Sequence, residues 1–276
     1  MKDDSGRLTN GGGGAGGGVL PVERALEPID VARRRAEQER REVVAELDAF
    51  VEFRARVEAV EATRALVASP RGLLAESGET ARDDMANVRE GYRETVMSVD
   101  HYDRVYGESL ESNLEAEFGP DIASGICDGG DAAFTPGFKR ALLVAIERNV
   151  EERRSFLDGL DRERESLANA RSDLSDVVDA LSAGAVRSDD RRGDRSNGGG
   201  SGRRTRTLSP PEASDRIRSV VRRRQRLVHS RVSAGRADGH DLCGYLYHDE
   251  TWTYPVLSAA TSLHAQVRTA ESPLAP

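Results

Sequence analysis

From Leu142 to Leu181, apolar side chains return at an alternating four-three spacing for more than five heptads. A chain with that pattern is committed to a long helix carrying one apolar stripe. The stripe runs Leu142, Ile146, Asn149, Arg153, Phe156, Leu160, Glu163, Leu167, Ala170, Leu174, Val177 and Leu181, and nine of these twelve positions are apolar. Thr135 supplies an N-cap hydroxyl and Pro136 a residue suited to the first helical position. Gly184 sets an expected end near Ala183, which gives roughly 70 Å at 1.5 Å per residue.

An earlier segment offers the partner. Ile29, Arg33, Ala36, Arg40, Val43, Leu47, Phe50, Arg54, Val57 and Glu61 repeat the same spacing, and Val44, Val51 and Val60 widen the stripe. A helix from Asp30 to about Val67 is predicted, stopped by Pro70 and Gly72. The two long helices are expected to pair antiparallel. The polar residues interrupting the stripes then suggest a register: Arg54 opposite Glu163 and Glu61 opposite Arg153 require facing residue numbers to add to about 215 or 216. Such buried pairs specify register more than they stabilise.

Between the long helices lies a denser segment. Met85, Val88, Tyr92, Val96 and Val99 share one helical face, and Leu110, Leu114 and Phe118 share another. Gly119 and Pro120 break the chain before Ile122 and Ile126. With Tyr92, Tyr102, Tyr106, Phe118, Phe134 and Phe138 all in or beside it, the segment 81–126 is expected to form a compact helical head.

The fold class expected is therefore all-α: two long antiparallel coiled-coil helices, a small helical head, and a C-terminal pair of helices. Residues 1–22 form a Gly-rich leader, 23–183 the hairpin with its head, 184–211 a flexible linker, and 212–276 an Arg-rich helix, an aromatic segment and a final helix opened by Pro255. Leader glycines match GxGxxG formally, but no strand precedes them and no Lys follows, so no phosphate loop is expected.

Composition narrows the function classes. With 32% of residues charged and 5% aromatic, the chain suits solvent-wrapped helices better than an enzyme with a deep apolar pocket. No membrane span or secretory core is evident, so a cytoplasmic protein is expected. Cys127 and Cys243 lie 116 positions apart and belong to no CxxC, so thiols are expected. Of 40 basic residues only Lys2 and Lys139 are lysines, which with the acidic excess fits a GC-rich genome and a life in concentrated salt. Charge is also segregated: residues 187–226 carry a net +8 and residues 1–186 a net −14.

The order of elements, with the runs YRETV from Tyr92, HYD from His101, YGE from Tyr106, EFGP from Glu117 and the C-terminal CGYLYHDETWTYPVL from Cys243, resembles a haloarchaeal family of uncharacterised coiled-coil proteins. The resemblance covers roughly residues 25–183 and 240–270. It implies a helical fold and a salt-loving source, and it carries over no functional residue.

Candidate chemistry is sparse. His240, Cys243 and His248, with Asp238, Asp241 and Asp249 interspersed, offer three zinc-type ligands in one stretch where four are needed, and Cys243 reads more simply as a small buried hydrophobe. His101 beside Asp100, Asp103 and Glu108 reads as a hydrogen-bond partner at a helix end. Cys127 has no nucleophile elbow and no assignable His. No catalytic residue, metal site or cofactor is assigned.

Two surfaces remain as interaction candidates. Arg216, Arg218, Arg222, Arg223 and Arg226 fall opposite the Ile217, Val221 and Val228 face of one helix, and Tyr245, Tyr247 and Trp252 cluster in the aromatic segment. The preferred reading is a non-enzymatic structural or interaction scaffold, using a protein partner or self-association through its helical seam. The alternative is association with nucleic acid through the Arg-rich helix 214–232, and an enzyme housed in the helical head is the weakest reading. Docking of the Arg-rich helix on the chain itself, through the hairpin or the final helix, is expected.

Overall fold

The computed structural model describes residues 22–62, 76–127, 134–190, 208–233 and 242–271. After a short 3-10 helix at Val22–Leu26, the α-helices are α1 (Glu27–Ala59), α2 (Glu76–Glu94), α3 (Tyr102–Val105), α4 (Leu110–Phe118), α5 (Pro120–Cys127), α6 (Pro136–Asp190), α7 (Pro210–Ser233), α8 (Leu242–Leu246) and α9 (Pro255–Glu271). The fold is all-α, with no strand among the described residues. The leader lies outside them up to residue 21, as does most of the expected linker.

Local signals set the helix ends. Thr135 caps α6 by accepting from the Phe138 amide at 3.1 Å. Ser209 opens α7 with Pro210 behind it, and its amide and hydroxyl both donate to Glu212, the reach-back of a capping box. Two boundaries differ from expectation. The first long helix stops at Ala59 rather than near Val67, where the Lys139 ammonium donates to the carbonyls of Glu58 and Val60 at 2.7 Å each. The second continues through Gly184 to Asp190, because glycine inside a helix costs only about 1 kcal/mol and stops it only where a left-handed residue is adopted.

The chain divides into two compact units that cut across its sequence segments: 1–30 with 170–237 and 254–276, and 31–169 with 238–253.

In the second unit, the head α2–α5 joins the end of α1 and the start of α6 around one core. Phe50, Phe53 and Val57 of α1, Met85, Val88 and Tyr92 of α2, Leu114 and Phe118 of α4, Ile126 of α5, and Leu142, Ile146 and Val150 of α6 are all buried in it. Edge-on ring pairs tie the elements, Phe53 on Tyr92 at 5.1 Å and Phe50 on Phe118 at 6.1 Å. Gly119, at φ +85°, makes the turn from α4 to α5 that an L side chain resists. Gly125 lets α5 approach α6 so closely that a Cβ there would lie 2.5 Å from the Phe138 ring.

Long helices in this unit run antiparallel, but in a different register from the one expected. The pairs Arg40–Asp161, Glu37–Arg164 and Arg54–Glu147 each add to 201, not 215 or 216. Arg54 bonds Glu147 and Glu58 rather than Glu163. The offset of 16 from the Arg54–Glu163 pairing amounts to roughly 24 Å along one helix, well beyond the reach allowed for that pair. Arg54 is half-buried on a flank, and Glu163 is fully buried against a different segment.

In the first unit, five elements close a ring. Arg171 of α6 pairs with Asp30 in the first turn of α1 at 2.9 Å, again adding to 201. Arg216 and Arg223 of α7 reach Asp176 and Asp173 of α6. α7 packs on α9, and α9 on the 3-10 helix. Leu174 and Val177 of α6, Ala213, Ile217 and Val220 of α7, and Val256, Ala259, Leu263 and Val267 of α9 fill the interior.

Candidate functional site

Each predicted candidate has a defined place. In the first unit, α7 presents its arginines in three directions. Arg224 is buried on the apolar face. Arg216 and Arg223 turn to the acids of α6, the first at 3.3 Å from Asp176. Arg218, Arg222 and Arg226 are exposed, and Arg218 reaches back to Asp215 at 3.4 Å and to the Ser214 carbonyl at 3.2 Å. The five arginines expected on one continuous outer stripe are thus divided, two spent on the chain itself and three turned outward.

In the second unit, the aromatic segment is folded down onto the long helices. Tyr247 is buried, its hydroxyl donating to the buried Glu163 carboxylate at 3.1 Å and its ring 5.5 Å from that of Trp252. Tyr245 lies half exposed, edge-on to Phe156 at 5.8 Å, with its hydroxyl donating to Glu39 at 2.7 Å. Burial pushes the Glu39 carboxyl above the usual range, although the Tyr245 hydrogen bond lowers it, and Glu42 and Glu46 raise it further. Arg35 of α1 pairs with Asp249 and Glu250 at the end of the same segment. Tyr247 is thus given over to packing, whereas Tyr245 keeps about half its surface in solvent with its hydroxyl held by Glu39.

Of the zinc-type cluster, His240 lies outside the described residues. Cys243 is buried in α8 as a small hydrophobe, and His248 is exposed, bonded to the Tyr245 carbonyl and to Asp249. Among the described residues no group of three His, Cys, Asp or Glu is arranged to hold a metal. Cys127 is half-buried at the end of α5. No described helix is long and apolar enough to cross a membrane.

Sequence reasoning missed the densest polar constellation. His101 is not engaged with Asp100, Asp103 or Glu108. It is buried, with Nε2 3.0 Å from Glu46 Oε1 on α1. The same carboxylate accepts from the Tyr106 hydroxyl at 2.8 Å and from Arg153 Nε at 3.1 Å. Arg153 also donates through both terminal nitrogens to Glu117 of α4, at 2.9 and 3.3 Å, and to Asn149 at 3.2 Å. Its guanidinium lies 4.0 Å from the centre of the Phe50 ring. Asn149 in turn donates to the Glu117 carbonyl at 2.8 Å.

Burial by itself would lower the Arg153 pKa, but the Glu117 and Glu46 carboxylates outweigh it and hold the guanidinium charged. Burial pushes the Tyr106 phenol up, and Glu46 beside it adds to the shift, so the hydroxyl stays a donor. One hub thus joins α1, the head and α6. Beside His101 an open groove of about 680 Å³ is lined by Glu42, Asp48, Glu52, Glu94, Asp100 and Arg104 among others. Its charges are largely paired: Arg104 with Glu42, and Arg56 with both Glu52 and Glu94.

As a class, this is an all-α protein whose enclosed ionisable side chains bind one another across helices. Residues 27–271 match the model of a family described as a domain of unknown function (DUF7260), and the chain belongs to that family. The matched span takes in both the YRETV to EFGP run and the C-terminal aromatic segment. No curated protein and no solved structure matches the chain.

Proposed function

We propose that this chain is a non-enzymatic, cytoplasmic helical scaffold that acts by binding other macromolecules. One observation carries the reading. The side chains with the most chemical potential in the second unit, His101, Tyr106, Glu46, Arg153 and Glu117, are bonded to one another across three elements and hold those elements together. Acid-base catalysis needs a group whose proton is offered to a substrate, whereas these protons are directed at protein acceptors. Family membership assigns no activity to weigh against this.

Association with nucleic acid through residues 214–232 is the weaker reading, because Arg216 and Arg223 are committed to Asp176 and Asp173. The test is affinity capture of the tagged intact chain at about 0.1 M salt, repeated at about 1 M. Recovery of a stoichiometric protein partner, or of the untagged chain itself, is the result expected. Nucleic acid recovered in its place, and lost when Arg218, Arg222 and Arg226 are changed to Gln, would install the alternative.

A further inference from the structure

Opposite charges are segregated in this chain into stretches free of their counterparts. Between Arg104 and Lys139 there is no basic residue and no histidine, while seven acids fall in that stretch. From Arg216 to Ser233 there is no acid, while seven arginines do. Helices that stabilise themselves by local pairs mix the two signs at four-residue steps, as Arg54 with Glu58 and Arg56 with Glu52 do on α1. Segregation leaves charges that only another surface can satisfy.

On α7 the outward-facing arginines form a row, of which only Arg218 has an acid beside it, Asp215 at 3.4 Å. Arg218, Arg222 and Arg226 follow at steps of four, so they stack on one exposed face about 6 Å apart along the axis. Arg222 and Arg226 meet no acid among the described residues. In the head, Glu117 is spent on Arg153 and Glu108 accepts from Asn113. Glu111 and Glu115, four apart on α4, and Asp121 in the first turn of α5 are exposed and meet no cation among the described residues. Glu111 and Glu115 carry the opposite sign at the same four-residue step, and Asp121 adds a third carboxylate from the next helix.

We propose that the Arg218, Arg222 and Arg226 face of one copy docks on the Glu111, Glu115 and Asp121 face of a second copy. The inference rests on the scaffold reading and names its partner as the chain itself. Guanidinium forks take carboxylates two oxygens at a time, which gives such a row geometric as well as electrostatic selectivity. A phosphate strand would also satisfy the arginines, but it would leave the acids of α4 and α5 unmatched and would approach a chain of net charge −8. A second copy satisfies both faces at once. A copy that gives both faces to one neighbour closes a two-fold dimer, and a copy that gives them to two neighbours propagates into a ring or filament.

Sedimentation velocity on the intact chain tests this at about 0.1 M and about 1 M salt, where the Debye length falls from ~10 Å to ~3 Å. Mass should rise with loading concentration at low salt, and the affinity should drop at least tenfold at high salt. Two reversed variants follow, one with R218E, R222E and R226E, the other with E111R, E115R and D121R, each checked for helix content by circular dichroism. Each alone should sediment as one chain, and an equimolar mixture should associate again, since each now offers the face that the other lost. If a reversed variant does not fold, the neutral sets R218Q, R222Q, R226Q and E111Q, E115Q, D121N replace it, and each should lose association.

A single chain at every concentration in low salt overturns the proposal. So does association indifferent to both variant sets, a reversed pair that stays apart on mixing, or duplex DNA that binds the arginine row and displaces the second copy. Failure here leaves the scaffold reading to the capture experiment, where a different stoichiometric protein partner would still uphold it.

Discussion

Replacing Arg153 by Met should destabilise the second unit by roughly 3 kcal/mol, and the structure says why. The arginine side chain is 13% exposed, and its two carboxylate partners, Glu46 and Glu117, are 12% and 15% exposed. Breaking a buried pair costs about 3–5 kcal/mol because the remaining charge stays out of water without its partner. Two carboxylates lose their shared cation here. Glu46, however, keeps its donors His101 and Tyr106, which places the effect at the lower end of the range. Methionine keeps a flexible apolar stem over the Phe50 ring, so the loss reports charge and not packing. Arg153→Lys should cost ~1–2 kcal/mol, since one ammonium cannot span both carboxylates and Asn149 as the guanidinium fork does. Urea titration followed by tryptophan emission is the assay, because Trp252 is the single tryptophan and lies in the second unit. Against a typical total of ~5–15 kcal/mol, a loss near 3 moves the midpoint plainly. An Arg153→Met shift below ~1 kcal/mol at unchanged slope would refute the hub as the element that holds the head on the long helices.

Two further outcomes follow. Cysteines introduced at Arg40 and Asp161, with Cys127 and Cys243 changed to Ser, should be joined by a bifunctional maleimide spanning about 10 Å, the spacing of packed helices, whereas cysteines at Arg54 and Glu163 should not; the reverse pattern would restore the register near 216. Because burial raises the folded-state pKa of Glu39, stability from this group is present at low pH and lost as pH rises from the ordinary carboxylate range through the raised value. Glu39→Gln, which keeps an acceptor for Tyr245, should therefore melt slightly above the parent at pH 7 and level with it near about pH 3, where Glu39 is protonated in both states; a variant that melts lower at pH 7 contradicts the sign.

Helices were legible in the sequence wherever spacing and capping agreed. Thr135 and Pro136 fix the start of α6, Pro255 the start of α9, and the face of Met85, Val88 and Tyr92 is the buried face of α2. Ends were less legible, because a helix stops where its last carbonyls find donors. The donor that ends α1 is Lys139, distant from it in sequence by 79 to 81 residues. Leu242 to Tyr247 shows a brief alternation, yet five of those residues form α8, because a run that short satisfies either period and packing decides.

Register failed for a reason that also explains why the hub went unseen. Stripe interruptions were treated as partners for each other across two helices, Arg54 for Glu163 and Glu61 for Arg153. The polar members of the α6 stripe instead each meet a third element. Asn149 donates to the Glu117 carbonyl of α4, Arg153 to the Glu117 carboxylate, and Glu163 accepts from Tyr247 just beyond α8. Arg153 also bonds α1, through Glu46. A buried polar group must be satisfied, and a paired apolar seam offers it few acceptors or donors, so it is tolerated where another segment brings one. In a long amphipathic helix of this kind, a polar residue inside the stripe marks where the rest of the chain comes down on the pair. It carries little information about how the pair itself is aligned. The exposed flanks carry that information, in Arg40–Asp161, Glu37–Arg164 and Arg54–Glu147, and at the sequence level those pairs are indistinguishable from the many other charges of an acidic, arginine-rich surface.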